Sequence, residues 1–457
     1  MSPEPEVTVA PVRLGLRVLG DNELAALHER ALRLLADDGV LVAGEVTARA
    51  FVAAGARVAD GRGRITPELV AAALDGAPAR FTLGARLEGR EVELGSGAVW
   101  LATGGPAART LAAGATEPRP ATGADLAAVC RLADALPEVA VVYGPPLWPA
   151  RETPLGALQV CLAAGGKHVH ATTLRTAAEA EAAARIAFAV AGDADAARRR
   201  SPLSLGGSLE TTLAFAAHGL PVAAAAELPP VVGSAGHDPT EAVVRRHAGV
   251  LAACVAVQAV APGAQFMYAT AGPAVTQTSA ALIAAAQLAA RAGLPALAPG
   301  MLTRSPAPDW QACSENAFSS MSAVLAGTDV VAGAGTLAGG TVCSAVALAL
   351  DSEIHSWNAA IAAGIPVDEE TLAAEAINAV GIGGNYLSQR HTRHHMKDVW
   401  RPRLLDRSPW DAWVAGGRRG APEAAAELVR TTLDGHTVAP LEAAVADRIN
   451  EIIATVQ

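Results

Sequence analysis

Residues 265–332 read QFMYATAGPAVTQTSAALIAAAQLAARAGLPALAPGMLTRSPAPDWQACSENAFSSMSAVLAGTDVVA, and their rhythm decides the fold. Short apolar runs at Gln265–Ala269, Ala296–Ala298 and Asp329–Ala332 alternate with alanine-rich stretches, Thr276–Arg291 and Asp309–Leu325, long enough for helices. Short apolar runs bounded by turn residues suit strands buried on both faces, and βα repeats require a parallel sheet with helical crossovers. The same beat continues upstream. Strands are expected at Val139–Tyr143, His168–Thr172, Leu203–Gly206 and Val222–Ala226, with a helix at Thr240–Val260. Close to eight such units favour a closed (β/α)8 TIM barrel over an open sheet. No Gly-x-Gly-x-x-Gly opens a helix after a strand, and no Walker lysine follows a glycine loop, so a nucleotide-binding sheet is the weaker reading.

Before Pro120 the pattern differs. Leu24, Leu27, Ala31, Leu34 and Leu35 form a 3.6-residue stripe behind Asp21 or Asn22 as cap, ending near Gly39. Thr66-Pro67-Glu68 starts a second helix. Residues 81–101, including Val99-Trp100-Leu101, alternate and read as β-hairpin structure. The expected organisation is a helix-and-hairpin appendage over 1–119, the barrel over 120–380, and closing helices over 381–457.

The net charge of −10 argues against nucleic-acid binding, which needs a basic face. The Arg198–Arg200 run reads as a solvated helix end. Cysteines at 130, 161, 254, 313 and 343 lack metal or disulfide spacing and read as small buried hydrophobes. The acidic, proline-broken N-terminus is unlike a signal peptide, and the apolar run Ala280–Ala290 is too short to span a bilayer. A cytoplasmic homo-oligomer, independent of membrane and nucleic acid, is expected.

Aromatic residues make up only 4% of the chain, yet Gly381–Trp413 (GIGGNYLSQRHTRHHMKDVWRPRLLDRSPWDAW) carries three tryptophans, clustered histidines and an Arg-Pro-Arg. Other marked stretches are His28–Val40, Gly104-Gly105-Pro106, Arg119–Leu126 leading to Arg131–Pro137, Pro308–Ala312, Gly333-Ala-Gly335 and Leu350–Ile354. In order and spacing this set resembles the trimethylamine methyltransferase family, the corrinoid-dependent methyltransferases of methylamines and quaternary amines. The resemblance implies a (β/α)8 barrel that passes a methyl group from an amine to the cobalt of a corrinoid carried on a separate corrinoid-binding protein. Founding members use pyrrolysine on trimethylamine. This chain has none, and the corresponding region falls near Pro299–Arg304. The non-pyrrolysine branch includes glycine betaine methyltransferases. Where the family commonly carries an aromatic and a lysine, this chain has Ser314 and Asn316. The cobalamin-binding signature Asp-x-His-x-x-Gly does not occur here, so the corrinoid belongs to a partner.

Barrel chemistry sits at the carboxyl ends of strands. That rule selects Tyr143, His170, Glu210 and Tyr268 as substrate-binding candidates, with Trp310 in a nearby loop. Tyrosine and tryptophan faces attract a quaternary ammonium. Each tyrosine could equally cap the core through a bonded hydroxyl. His170 and Glu210 could be satisfied polar residues, and Trp310 could close a helix–barrel seam. Gly383, Gly384, Tyr386, His391 and Arg401 are candidates for the corrinoid-facing surface. Gly381, Gly383 and Gly384 would also suit a helix end and turn. His391, His394 and His395 share one helical face, but no cysteine completes a zinc set and only Asp398 could add a ligand, so no metal is expected. No single catalytic residue is assigned. A quaternary ammonium leaves as a neutral amine, so the protein need supply only a cage and alignment. Two rivals stay open: a barrel lyase or hydrolase with His170 or His391 as general base, and a non-catalytic amine-binding relative.

Overall fold

The computed structural model describes residues 12, 14–228, 238–270, 279–396 and 400–456. Helices α1 (Asp21–Asp37), α2 (Glu45–Ala53) and α3 (Pro67–Gly76) surround a three-stranded antiparallel sheet of β1 (Val40–Leu41), β2 (Arg57–Ala59) and β3 (Arg62–Arg64). Leu24, Ala31 and Leu35 are the buried stripe of α1, as its periodicity requires. Gly39 ends that helix with φ +71°, and a Cβ there would lie 2.6 Å from the Gly63 carbonyl oxygen.

Strands β4 (Phe81–Leu83) and β5 (Val92–Leu94) form an antiparallel hairpin. Phe81, Leu83, Val92 and Leu94 are buried with Trp100, Ala140 and Val330. The hairpin thus plugs the amino-terminal end of the barrel, and each large side chain contributes about 1.5–3 kcal/mol by burial. Trp100 Nε1 donates to the Glu93 carbonyl at 3.1 Å, and Gly95 N donates to Asp329 at 2.5 Å.

The strand β6 (Trp100–Thr103) corrects the hairpin reading of Val99–Leu101. It is the first strand of the barrel, pairing in parallel with its neighbours on both sides. The barrel therefore begins at Trp100 rather than after residue 119. It follows with β7 (Arg109–Thr110), β8 (Arg119–Pro120), α4 (Gly123–Ala135), β9 (Val139–Gly144), α5 (Pro154–Ala164), β10 (His168–Ala171), α6 (Ala177–Ala191), α7 (Ala194–Arg199), β11 (Leu203–Gly206) and α8 (Leu209–Ala216). Then come β12 (Val222–Ala224), α9 (Pro239–Val260), β13 (Phe266–Ala269), α10 (Ser279–Arg291), β14 (Ala296–Pro299), α11 (Trp310–Leu325) and β15 (Val330–Ala334). Strands β6, β9, β10, β11, β12, β13, β14 and β15 close in that order into an eight-stranded parallel barrel. Thr122 and Thr176 start α4 and α6 with capping boxes, each worth about 1 kcal/mol.

Beyond the last strand, β16 (Thr336–Leu337) and β17 (Val342–Cys343) join β7 and β8 in a small four-stranded sheet. The closing helix is α12 (Ala345–Ala362), followed by α13 (Glu369–Leu372), α14 (Ala374–Val380), α15 (Arg390–His395), α16 (Trp410–Ala415), α17 (Ala421–Gly435) and α18 (Ala443–Ala454). Helix α17 packs on α12 and α4, and α18 packs on α6. Among the described residues one helix, α9, is long and apolar enough to cross a membrane, but it is mostly buried and packs against α1, α2 and α3. Cys130, Cys161, Cys254 and Cys343 are buried free thiols.

Candidate active site

A cavity of about 290 Å³ opens at the carboxyl ends of β6, β9, β14 and β15. That volume is at the lower edge of ordinary ligand pockets, about 300–1,000 Å³. Its wall includes Gly104, Tyr143, Leu297, Met301, Arg304 and Gly333, and none of its lining residues is an aspartate or glutamate. Two glycines let the loops converge. A Cβ on Gly104 would lie 2.6 Å from Thr336 Cγ2, and one on Gly333, at φ +118°, would lie 2.4 Å from the Met301 carbonyl oxygen.

Strand alternation sorts the predicted residues. Tyr143, the penultimate residue of β9, faces the barrel interior, packed with Ala102, Met267 and Leu297. Its ring centroid lies 5.1 Å from that of His170, at a 36° tilt. His170 belongs to a buried relay whose proton positions follow from its partners. His168 Nδ1 faces the carbonyls of Gly84 at 2.8 Å and Ser201 at 3.2 Å, so it carries the hydrogen. His168 Nε2 is then an acceptor, and the Ser204 hydroxyl donates to it at 2.7 Å. Ser204 Oγ in turn accepts from His170 Nδ1 at 2.8 Å. The His170 Nε2 is left with its lone pair, over Gly206, where a Cβ would come within 2.6 Å of that nitrogen. Burial pushes His168 down to about 4 and His170 down to about 3, so both rings are neutral near pH 7.

Tyr268 does not join them. It sits one residue beyond inward-facing Met267, so the pleat turns it outward into the layer between barrel and helices. It is fully buried, and its hydroxyl lies 2.9 Å from His247 Nδ1 on α9, whose Nε2 lies 2.9 Å from His28 Nδ1 on α1. Glu210, in the first turn of α8, is exposed, and its carboxylate lies against Gly44 at the start of α2, away from the cavity wall. Trp310 is the first residue of α11 and is 83% exposed.

Residues that sequence reading missed complete the site. Arg246, on α9, donates from Nε to the carbonyl of Ala269, the last residue of β13, at 2.6 Å. Burial lowers its pKa, and its charge acts on both Tyr268 and Tyr143. The only sequence trace of it is a pair of arginines inside a largely apolar helix. Asn316 accepts from Thr303 N at 3.0 Å and donates to Asp351 at 2.8 Å, while Asp351 accepts from Gly335 N at 2.8 Å. Glu315 holds the Thr303 hydroxyl at 2.7 Å and Arg304 N at 2.8 Å. One wall of the cavity thus hangs from α11 and α12. Burial pushes Asp351 up to about 7.

The carboxyl-terminal candidates lie together on an exposed stretch. Gly381 and Gly383 have left-handed backbones with open space beside them. A Cβ on Gly384 would lie 2.4 Å from the Val380 carbonyl oxygen, so that glycine serves the end of α14. Tyr386 is 41% exposed, and Arg401 is exposed. His391 Nε2 donates to the Glu370 carbonyl at 2.8 Å, and His391 and His394 both pack against the His395 ring. Among the described residues no group of three His, Cys, Asp or Glu is placed to hold a metal, and Asp398 lies outside them. Arg403 ties this stretch to α12 through Glu353 at 3.4 Å and to the turn before β9 through Glu138 at 3.0 Å.

The profile of the trimethylamine methyltransferase family, MTTB, matches residues 6–457. The chain belongs to this family. Among curated relatives, the trimethylamine methyltransferase MttB of Desulfitobacterium hafniense is 28% identical over 96% of this chain and 94% of its own length. The glycine betaine methyltransferase of the same species is 27% identical over 95% of this chain and 98% of its own. MttB of Methanosarcina barkeri is 35% identical, but over only 46% of this chain and 45% of its own length. The solved monomethylamine methyltransferase MtmB of Methanosarcina barkeri shares the fold, with a TM-score of 0.50 over 92% of this chain and 88% of that one, at 11% identity.

Proposed function

We propose that this member of the family moves a methyl group from a quaternary amine of betaine type to the Co(I) of a corrinoid carried on a separate protein. The observation that carries the reading is the Met301–Arg304 wall. Where the founding members would place pyrrolysine, the cavity is built from ordinary side chains. No group there activates a tertiary amine, whereas a quaternary ammonium needs none. Full-length similarity extends to a glycine betaine methyltransferase as well as to a trimethylamine methyltransferase, so the choice of branch rests on the cavity wall.

The corrinoid, when its partner presents it, supplies the nucleophile that takes the methyl group. The barrel mouth suits an approach from outside, since side chains added at Gly339 and Gly340 on its rim would meet nothing within 4 Å. Tyr143 offers its ring face to the cation, and His170 holds that ring from behind. The small interior residues Ala102 and Ala332 leave room for a trimethylammonium group above the plugged barrel floor. The catalytic contribution is alignment and exclusion of water. Gly383, Tyr386, His391 and Arg401 are the proposed face toward the corrinoid protein, and a cytoplasmic homo-oligomer is the proposed setting. A His170 general base is disfavoured, because a nitrogen held near 3 is a poor proton acceptor at neutral pH.

The test is methylation of a Co(I) corrinoid protein, followed spectroscopically, with glycine betaine, other betaines and trimethylamine as donors. Turnover of a quaternary amine is the expected result. Turnover of trimethylamine alone would overturn the mechanism. Tight binding without transfer from any donor would establish an amine-binding relative instead.

A further inference from the structure

The cavity has an electrostatic peculiarity for a site that receives a cation. Arg304 stands in its wall, and none of its lining residues is an acid. Arg246 reaches the same mouth from the side. Its Nε is bonded to the carbonyl of Ala269, which lines the barrel interior beside Met267 and Tyr143. A guanidinium has five N–H donors, and this bond uses one. Among the described residues Arg246 makes no ion pair, although Arg119, Arg198, Arg403 and Arg430 all have carboxylate partners. Its side chain is half-buried between α9 and the barrel rim. A cation held there without a counter-charge is unfavourable. A second cation in the adjoining cavity would add repulsion.

Both problems have one solution. A substrate that carries its own negative charge neutralises Arg246 and brings the ammonium to the cavity as part of a net-neutral molecule. Resting on the betaine reading above, we propose that Arg246 binds the substrate's carboxylate, with the remaining guanidinium N–H groups as donors. Arg246 is then the specificity-determining residue that separates betaines from carboxylate-free amines. Planar guanidinium geometry matches a carboxylate in a two-point contact, which a lysine cannot reproduce.

The experiment compares the full-length chain with Arg246→Met and Arg246→Lys. Direct binding is measured calorimetrically without any corrinoid protein, using glycine betaine and choline. These probes share the trimethylammonium group and differ in carboxylate against alcohol. The same donors are then used in methyl transfer to a Co(I) corrinoid protein, separating KM from kcat. The wild-type chain should prefer glycine betaine over choline by about 10- to 100-fold, the range of a charge-assisted hydrogen bond. Arg246→Met should erase that preference, chiefly through KM, while its melting temperature stays near the wild-type value. Arg246→Lys should restore part of it. Equal affinity of the wild-type chain for both probes, or an unchanged preference in a folded Arg246→Met variant, would overturn the proposal. Preference for glycine betaine in binding, abolished in Arg246→Met, with no methyl transfer from any donor, would sustain the carboxylate site and refute the transferase reading alone.

Discussion

Acid should destabilise this chain far more than its modest charge suggests, because four imidazoles are buried in neutral form. Burial pushes His168 and His355 down to about 4, and His170 and His247 down to about 3. In the unfolded chain each binds a proton near pH 6.5. Between those limits the unfolded state holds more protons, so stability is fully present above about pH 6.5 and is lost as pH falls. At pH 5.0, relative to pH 7.5, each ring withholds a proton worth about 2 kcal/mol, and the four together about 8 kcal/mol. Asp351 acts in the opposite direction. Its folded pKa is raised to about 7, so acidification relieves a buried charge and returns about 2.5 kcal/mol over the same interval. The net loss is roughly 5 kcal/mol, comparable to the whole stability of a domain at about 5–15 kcal/mol. Urea unfolding followed by circular dichroism at pH 7.5, 6.0 and 5.0 measures it. The midpoint should fall steadily, and the Ser204→Ala variant should be less stable at every pH, having left the His168 acceptor and His170 donor unpaired. An equal or higher midpoint at pH 5.0 would refute the neutral buried histidines.

Three further outcomes follow from the geometry. Tyr143→Ala should weaken betaine transfer by about 1–2 kcal/mol of lost cation–π attraction, read as kcat/KM. Tyr268→Phe should leave kcat/KM of the folded chain unchanged while lowering stability by about 1–3 kcal/mol, because His247 loses its buried partner; a selective loss of transfer would return Tyr268 to the substrate cage. Gly206→Ala should destabilise by about 1–3 kcal/mol, because the new Cβ forces the His170 ring off Ser204, and a thermal melt reads the loss.

The repeated elements were legible from sequence because their signals are local. Apolar periods, helix starts such as Thr66-Pro67, and turn glycines act within a few residues, and they led to a barrel without tertiary information. The order and spacing of Gly104-Gly105-Pro106, Pro308–Ala312, Leu350–Ile354 and Gly381–Trp413 likewise carried the family. What closure decides was not legible. Trp100–Thr103 looks locally like one more hairpin strand, and only its pairing with β9 and β15 makes it the first stave. Strands buried on both faces carry no alternation to say which side chains point inward. Tyr143 and Tyr268 therefore looked equivalent at two strand ends, yet the pleat sends one into the cavity and the other against His247. Arg246 shows the same limit. As a letter in an apolar helix it has no address, and only the packing of α9 on β13 brings its charge to the mouth of the barrel. Local sequence set which elements form, while the phase of each strand and the meeting of distant side chains came from closing the barrel.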